Sequence, residues 1–270
     1  MISRKRSTTL SAGLLTALCL AASTHGAPAA AASYPVNRAA LTRSPLYTSG
    51  RLPTADCPEK PVTPGSVSSA RRYVLPLLDC LGEAWKAQLA KARIRFSKPG
   101  VQFITRPGRV CGHKWPKNAQ GLYCPSQRRI VIMLDKHLTE QAEDLFLLDV
   151  IAHEYGHHVQ NLAGIEAAFN SLTYRGKPEY YEQYRRLELQ AECLAGAFVG
   201  SIWNSLDRTS DDWDYLLEAT RESGDERAKV RDHGKGRNIA NWLSRGFKAA
   251  GPGACNTWAA GAAMVASTPA

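Results

Sequence analysis

The chain contains no two cysteines in a C-x-x-C pair, which argues against a cysteine-only zinc knuckle. It has no nucleic-acid-binding motif and no internal repeat. Charge of one sign does not accumulate in blocks: the net +10 is spread along 270 residues and reads as a soluble basic surface. Long apolar runs are also missing, except from about Leu10 to Ala22. That run is too short, and wrongly flanked, for a membrane span.

What surrounds the run gives it a different meaning. A basic opening, "MISRKR", precedes it and small residues suited to cleavage follow, so residues 1–30 read as a secretory signal. The expected product is secreted, with no transmembrane segment after cleavage. Cys19 lies inside the run and is lost with it, since Leu18 is too bulky for a lipoprotein cleavage site. Six cysteines then remain: Cys57, Cys80, Cys111, Cys124, Cys193 and Cys255. An even number in an exported chain favours disulfides.

Residues 31–69 are rich in Ala, Pro, Ser and Thr, as in "PEKPVTPGSVSS". They read as an extension or linker with little core of its own. From residue 70 to 258 the pattern is that of a folded domain. Val74, Leu77, Leu78, Leu81, Trp85 and Leu89 recur at helical spacing, interrupted by Pro76. "VQFIT" (101–105) and "RRIVIML" (128–134) are strand-like runs separated by a Gly/Pro/Cys loop. "LFLLDVIAHEYGHHVQNLAG" is a helix with Gly164 where a C-terminal cap belongs. A second helix spans 178–203, opened by Pro178, and a third covers "RNIANWLSRGFKAAG". Residues 259–270 read as a disordered tail. The plan is α+β, mostly helical with a small β-sheet packed beside the helices.

The chemistry concentrates in "HEYGH". His153 and His157 are four apart, so a helix places them on one face, where both rings converge on one ion. Glu154 is rotated off that line, within reach of a metal-bound water rather than the metal. Two ligands and a general base in this order are what zinc peptidases use. Buried histidines with ordinary partners are the alternative. Against it, Leu148, Ile151, Tyr155, Val159 and Leu162 already make an apolar face on the far side. His158 belongs to neither ligand pair and reads as a hydrogen-bonded structural histidine, and Tyr155 as core.

A catalytic zinc needs a third protein ligand and one open position. The metzincin arrangement is excluded, because Gln160 stands where its glycine belongs and Ala163 where its third histidine belongs. "ELQAECLAG" instead offers Glu188 and Glu192, one turn apart among Leu187, Leu189, Leu194 and Phe198. A buried acidic pair needs a cation, and one ion needs only one of the two. Ala195, Gly196 and Ala197 are small enough for close helix packing.

Several blocks in order resemble the neutral zinc metallopeptidase family of bacteria. They are "VQFITRPGRVCGH", "GLYCPSQRRIVIMLD", "HEYGHHVQNLAG", "ELQAECLAGAF", "HGKGRNIANWLSRGF" and "CNTW", covering about residues 70–258. The resemblance implies a zincin-like α+β domain, a glutamate as third zinc ligand and peptidase activity. Two positions depart from the family pattern: Glu192 stands where aspartate is usual, and Trp258 where phenylalanine is common. By analogy with gluzincins reading E-x-x-x-D, Glu188 is the ligand and Glu192 the carboxylate that orients a ligand histidine. The extra methylene of Glu192 leaves the reverse assignment open.

The expected function is therefore a secreted Zn2+-dependent metallopeptidase acting on a peptide or protein substrate. Its metal ligands would be His153, His157 and Glu188, with Glu154 as general base. His233, in the "HG" block, is the candidate oxyanion donor, with an ordinary surface histidine as the alternative. A rival reading is a non-catalytic exported zinc-binding protein contacting the cell envelope through its basic surface. A third keeps the chemistry and takes peptidoglycan cross-links as substrate. Among the cysteines, Cys111 and Cys124 flank the turn between the two predicted strands and should be joined. Cys193 and Cys255 both lie in family blocks, and Cys57–Cys80 follows by elimination.

Overall fold

The computed structural model describes residues 34, 36–117, 119–140 and 145–267. The expected signal segment, Cys19 and residues 268–270 lie outside them. What is described is mostly helical with a small mixed sheet, an α+β arrangement.

The segment expected to be a linker is packed. Helix α1 (Ala39–Thr42) and a 3-10 turn (Pro45–Thr48) bring Leu41 and Leu46 into the core, and Leu52 and Cys57 follow. A few leucines cannot make a core alone, but they can complete one built by other elements. Composition alone therefore misjudges this stretch. Leu52 N donates to Ala250 O at 2.8 Å, near the far end of the chain.

Helix α2 (Val67–Lys91) starts three residues before the expected boundary, with the Ser66 hydroxyl accepting from Ser69 N. It runs straight through Pro76, which was expected to interrupt it. Pro76 removes one hydrogen bond to Arg72 O. Arg72 is exposed, so water can take that place, while Tyr73, Val74, Leu77, Leu81, Trp85 and Leu89 bury the other face.

Strands β1 (Gly100–Ile104), β2 (Arg109–Val110), β3 (His113–Lys114), β4 (Gly121–Cys124) and β5 (Arg129–Met133) follow. β1 and β5 match the two predicted strands and pair in parallel, Gln102 opposite Val131. β4 pairs antiparallel with β5, giving the order β1-β5-β4, while β2 and β3 form a separate hairpin.

Helices α3 (Lys136–Glu140), α4 (Phe146–Leu162), α5 (Ile165–Asn170) and α6 (Lys177–Ile202) come next. Gly164, at φ 72°, makes the left-handed turn that ends α4. Helix α7 (Ser210–Glu222) is not among the helices expected from periodicity. Its signal is local: Thr209 and Asp212 form a reciprocal capping box. Helix α8 (Gly236–Ala249) packs along α6. A Cβ on Gly196 would lie 2.1 Å from Leu243 O, and one on Gly246 1.9 Å from Cys193 O.

The tail corrects a second expectation. Through residue 267 it is folded, with a 3-10 turn at Ala262–Met264 and Val265 fully buried. Its alanines carry little side chain, so the anchoring is by backbone carbonyls, which composition does not show. Three disulfides join Cys57–Cys80, Cys111–Cys124 and Cys193–Cys255, the pairing expected. Among the described residues no helix is long and apolar enough to cross a membrane.

Candidate metal centre

The centre lies where α4 crosses α6. Gly156 stands between His153 and His157, and Ala191 between Glu188 and Glu192. A Cβ on Gly156 would sit 2.7 Å from Ala191 O, so the helices touch backbone to backbone. Any larger residue at 156 would push the acidic pair away from the histidines.

At this crossing Glu188 Oε2 lies 3.4 Å from His153 Nε2 and 3.2 Å from His157 Nε2. Bonds of about 2.0–2.2 Å to a tetrahedral zinc put neighbouring ligand atoms about 3.3–3.6 Å apart. The observed spacing suits three ligands of one ion. Asp149, Glu154, Glu188 and Glu192 are all buried here, at 5–8% exposure. So many carboxyl groups beside two histidines call for a cation. The donor set therefore fits zinc.

The rings are turned to offer Nε2. His153 Nδ1 donates to Glu192 Oε2 at 2.8 Å, and His157 Nδ1 donates to Gln160 Oε1 at 2.9 Å. Each far-side bond fixes the tautomer that leaves Nε2 as a lone pair. Glu188 thus faces both Nε2 atoms, whereas Glu192 meets His153 at Nδ1 on the far side of the ring. Without metal, burial lowers the affinity of both rings for protons, but Glu188, and for His153 also Glu192, outweigh it and raise both pKa values. Burial works against the Glu188 carboxylate in turn, yet His157, His233 and His153 hold it well below its ordinary value. Asp149, one turn before His153, is pushed well up by burial and by Glu192.

Glu154 sits one residue round from His153, and burial raises its pKa against the pull of His157 and His153. Gly121 of β4 lies over it: a Cβ there would fall 2.6 Å from Glu154 Oε1. The glycine is what lets a buried carboxyl fit between sheet and helix. A cavity of about 420 Å³ borders the same strand, lined by Cys111, His113, Lys114, Leu122 and Tyr123 among others.

His233 Nε2 is 3.6 Å from Glu188 Oε2, and its Nδ1 donates to Asp232 Oδ1 at 2.7 Å. Burial lowers its pKa, but Glu188 and Asp232 reverse this and raise it to about 9. The ligating atoms that all lie within 4.8 Å of one another are those of His153, His157 and Glu188. His233 stands outside that set, near the centre without closing it. Asp225, Asp232 and His233 form a second such group. Asp225 is engaged with backbone there, accepting from His233 N and Gly234 N.

His158 points away, as expected of a structural residue. Its Nε2 donates to Ser97 O at 2.7 Å and its Nδ1 accepts from Tyr123 Oη at 2.9 Å, while burial lowers its pKa. Tyr155 is core, at 1% exposure.

Sequence reasoning missed three features. Gln160 entered it only as a missing glycine, although position i+3 from His157 on a helix was itself the signal. Gly121 carried no local sign at all. An aromatic wall of Phe169, Tyr174, Tyr180 and Tyr184, with ring centroids 5.1–6.4 Å apart, leads up to Glu188. Tyr180 and Tyr184 precede Glu188 by two turns and one.

Residues 66–258 match the family described as "Putative neutral zinc metallopeptidase". The chain is 28% identical over 211 residues to uncharacterized protein YpfJ of Escherichia coli K12, covering 70% of this chain and 71% of that protein. It is 31% identical over 131 residues to uncharacterized protein Rv2575 of Mycobacterium tuberculosis, covering 41% and 43%. No solved structure matches it.

Proposed function

Because the chain belongs to this neutral zinc metallopeptidase family, we propose that it is an exported peptidase whose zinc is held by His153, His157 and Glu188 in a zincin-like domain. The observation that carries this reading is the spacing of the three ligand atoms at 3.2–3.4 Å, with the buried Glu154 carboxyl beside them. Zinc bound there would acidify a coordinated water and polarise the scissile carbonyl.

The chain's own groups supply the rest. Glu154 accepts a proton from the attacking water and returns it to the leaving amine. Glu192 and Gln160 hold the ligand rings in place. His233 Nε2–H donates to the developing oxyanion, with Asp232 fixing the ring through Nδ1. Three disulfides support export.

The test is metal analysis of the purified protein together with an unbiased peptide-library digest. Glu154→Gln should keep about one zinc per chain, because it removes a base and no ligand, and should lose hydrolysis. A zinc-loaded wild type that cleaves nothing in the library would transfer the reading to a zinc-binding protein of the cell envelope.

A further inference from the structure

The folded tail reaches the loop that presents His233. Ser267 Oγ donates to Asp225 Oδ1. The other oxygen of Asp225 accepts from His233 N at 2.8 Å and Gly234 N at 2.9 Å, and Asp225 N donates back to Gly234 O at 3.0 Å. Ala266 O accepts from Lys235 N at 3.1 Å and from Asn238 Nδ2 at 3.0 Å. Arg185 spans the two segments: Nε donates to Val265 O and Nη1 to Arg231 O, each at 2.7 Å. Trp242 Nε1 donates to Met264 O at 3.0 Å.

The His233 ring itself is half exposed and held on one side by Asp232 alone. Its position over Glu188 is therefore set by its backbone. That backbone turns at Gly234, whose φ of 107° few other residues adopt, and is pinned by Asp225. Both oxygens of the Asp225 carboxylate are used, one by the loop and one by the tail. Without the Ser267 hydroxyl, a buried acceptor loses its partner and the carboxylate is free to turn away from the loop.

We propose that residues 262–267 are a strap that positions His233 for the reaction, with Ser267 and Arg185 as positioning residues. This rests on the peptidase reading and on the role of His233 within it. The family match ends at residue 258, so the strap lies beyond the matched region.

The experiment compares the zinc-loaded full chain with Ser267→Ala and with a chain ending at Gly261, each also in a His233→Ala background. Hydrogen exchange at the His233 and Gly234 amides is measured beside steady-state hydrolysis. Losing one hydrogen bond to a charged group should lower kcat about threefold in Ser267→Ala, and losing the whole strap about tenfold, with KM and zinc content unchanged. Both amides should exchange faster, and neither change should lower kcat further once His233 is alanine. Unchanged exchange at these amides, or an equal loss of kcat in the His233→Ala background, overturns the strap. If the shortened chain does not fold, Ser267→Ala alone decides it. Full activity in His233→Ala refutes the role of His233 instead, while amide exchange still reports on the strap.

Discussion

Behind His153 stands a carboxylate, Glu192, with a second carboxyl, Asp149, one turn away on α4. Behind His157 stands an amide, Gln160, which begins a neutral chain. Its Nε2 donates to Leu187 O at 2.7 Å and to Gln190 Oε1 at 3.1 Å. Gln190 Nε2 passes the contact to Tyr47 Oη at 2.8 Å and Cys255 O at 3.0 Å, and Trp258 Nε1 donates to Gln190 Oε1 at 3.4 Å. The two flanks do the same positional task with different chemistry. A carboxylate strengthens the ligand's basicity and adds a negative charge; an amide orients without adding one. With four buried carboxyls already around the centre, a second charged support would raise the cost of burial further.

The largest effect should come from removing what both flanks serve. Glu188→Ala and His157→Ala are expected to purify without zinc, measured by elemental analysis. One zinc per chain retained in Glu188→Ala would return the ligand role to Glu192. Next comes Glu192→Ala, which should still bind zinc with affinity about 10–100-fold weaker, read by competition with a chelator. Gln160→Ala should cost less, about three- to tenfold, because a neutral bond is weaker than a charge-assisted one. Equal losses in these two variants would break the distinction between the flanks.

Proton competition sharpens it. In the zinc-free protein both histidines have pKa values above the ordinary 6.5, so their contribution to stability is complete below that value. It is lost as pH rises through the raised folded values. Glu188, held below its ordinary 4.5, contributes above that value and loses its contribution as pH falls through the lower folded one. Zinc must displace these protons, so its stabilising effect on Tm should grow from pH 5.5 to pH 8.5. A constant increment would contradict the pairing with Glu188. The smallest effect on the metal is expected for Trp258→Phe, which deletes one long hydrogen bond at the end of the amide chain and part of a buried ring. About 1–2 kcal/mol of stability should be lost in thermal or denaturant unfolding, with zinc content intact.

The carboxylate flank was legible in the sequence and the amide flank was not. His153 with His157, and Glu188 with Glu192, sit at one-turn spacings on two helices, and helical geometry alone converts such spacing into a shared face. Gln160 joins Gln190, Tyr47, Cys255 and Trp258 across most of the chain, and only tertiary packing assembles that set. The same holds for Gly121 over Glu154, and for the leucines of residues 41–52, whose burial depends on elements far away. β1 and β5 were read from their composition, while β4 between Gly121 and Cys124 was too short to announce itself. Local periodicity carries a helix face; it does not carry what lies behind it.

The Cys193–Cys255 bond gives the centre an order of assembly. A ribosome delivers His153, Glu154 and His157 first, the acidic helix next, and Cys255 with Trp258 long afterwards. Until those late residues arrive and the thiols are oxidised, His157 has Gln160 but no anchored Gln190 behind it. A nascent or reduced chain therefore offers metal a looser pair of histidines than the finished protein does. A reductant given during synthesis should therefore lower zinc occupancy without touching a single ligand.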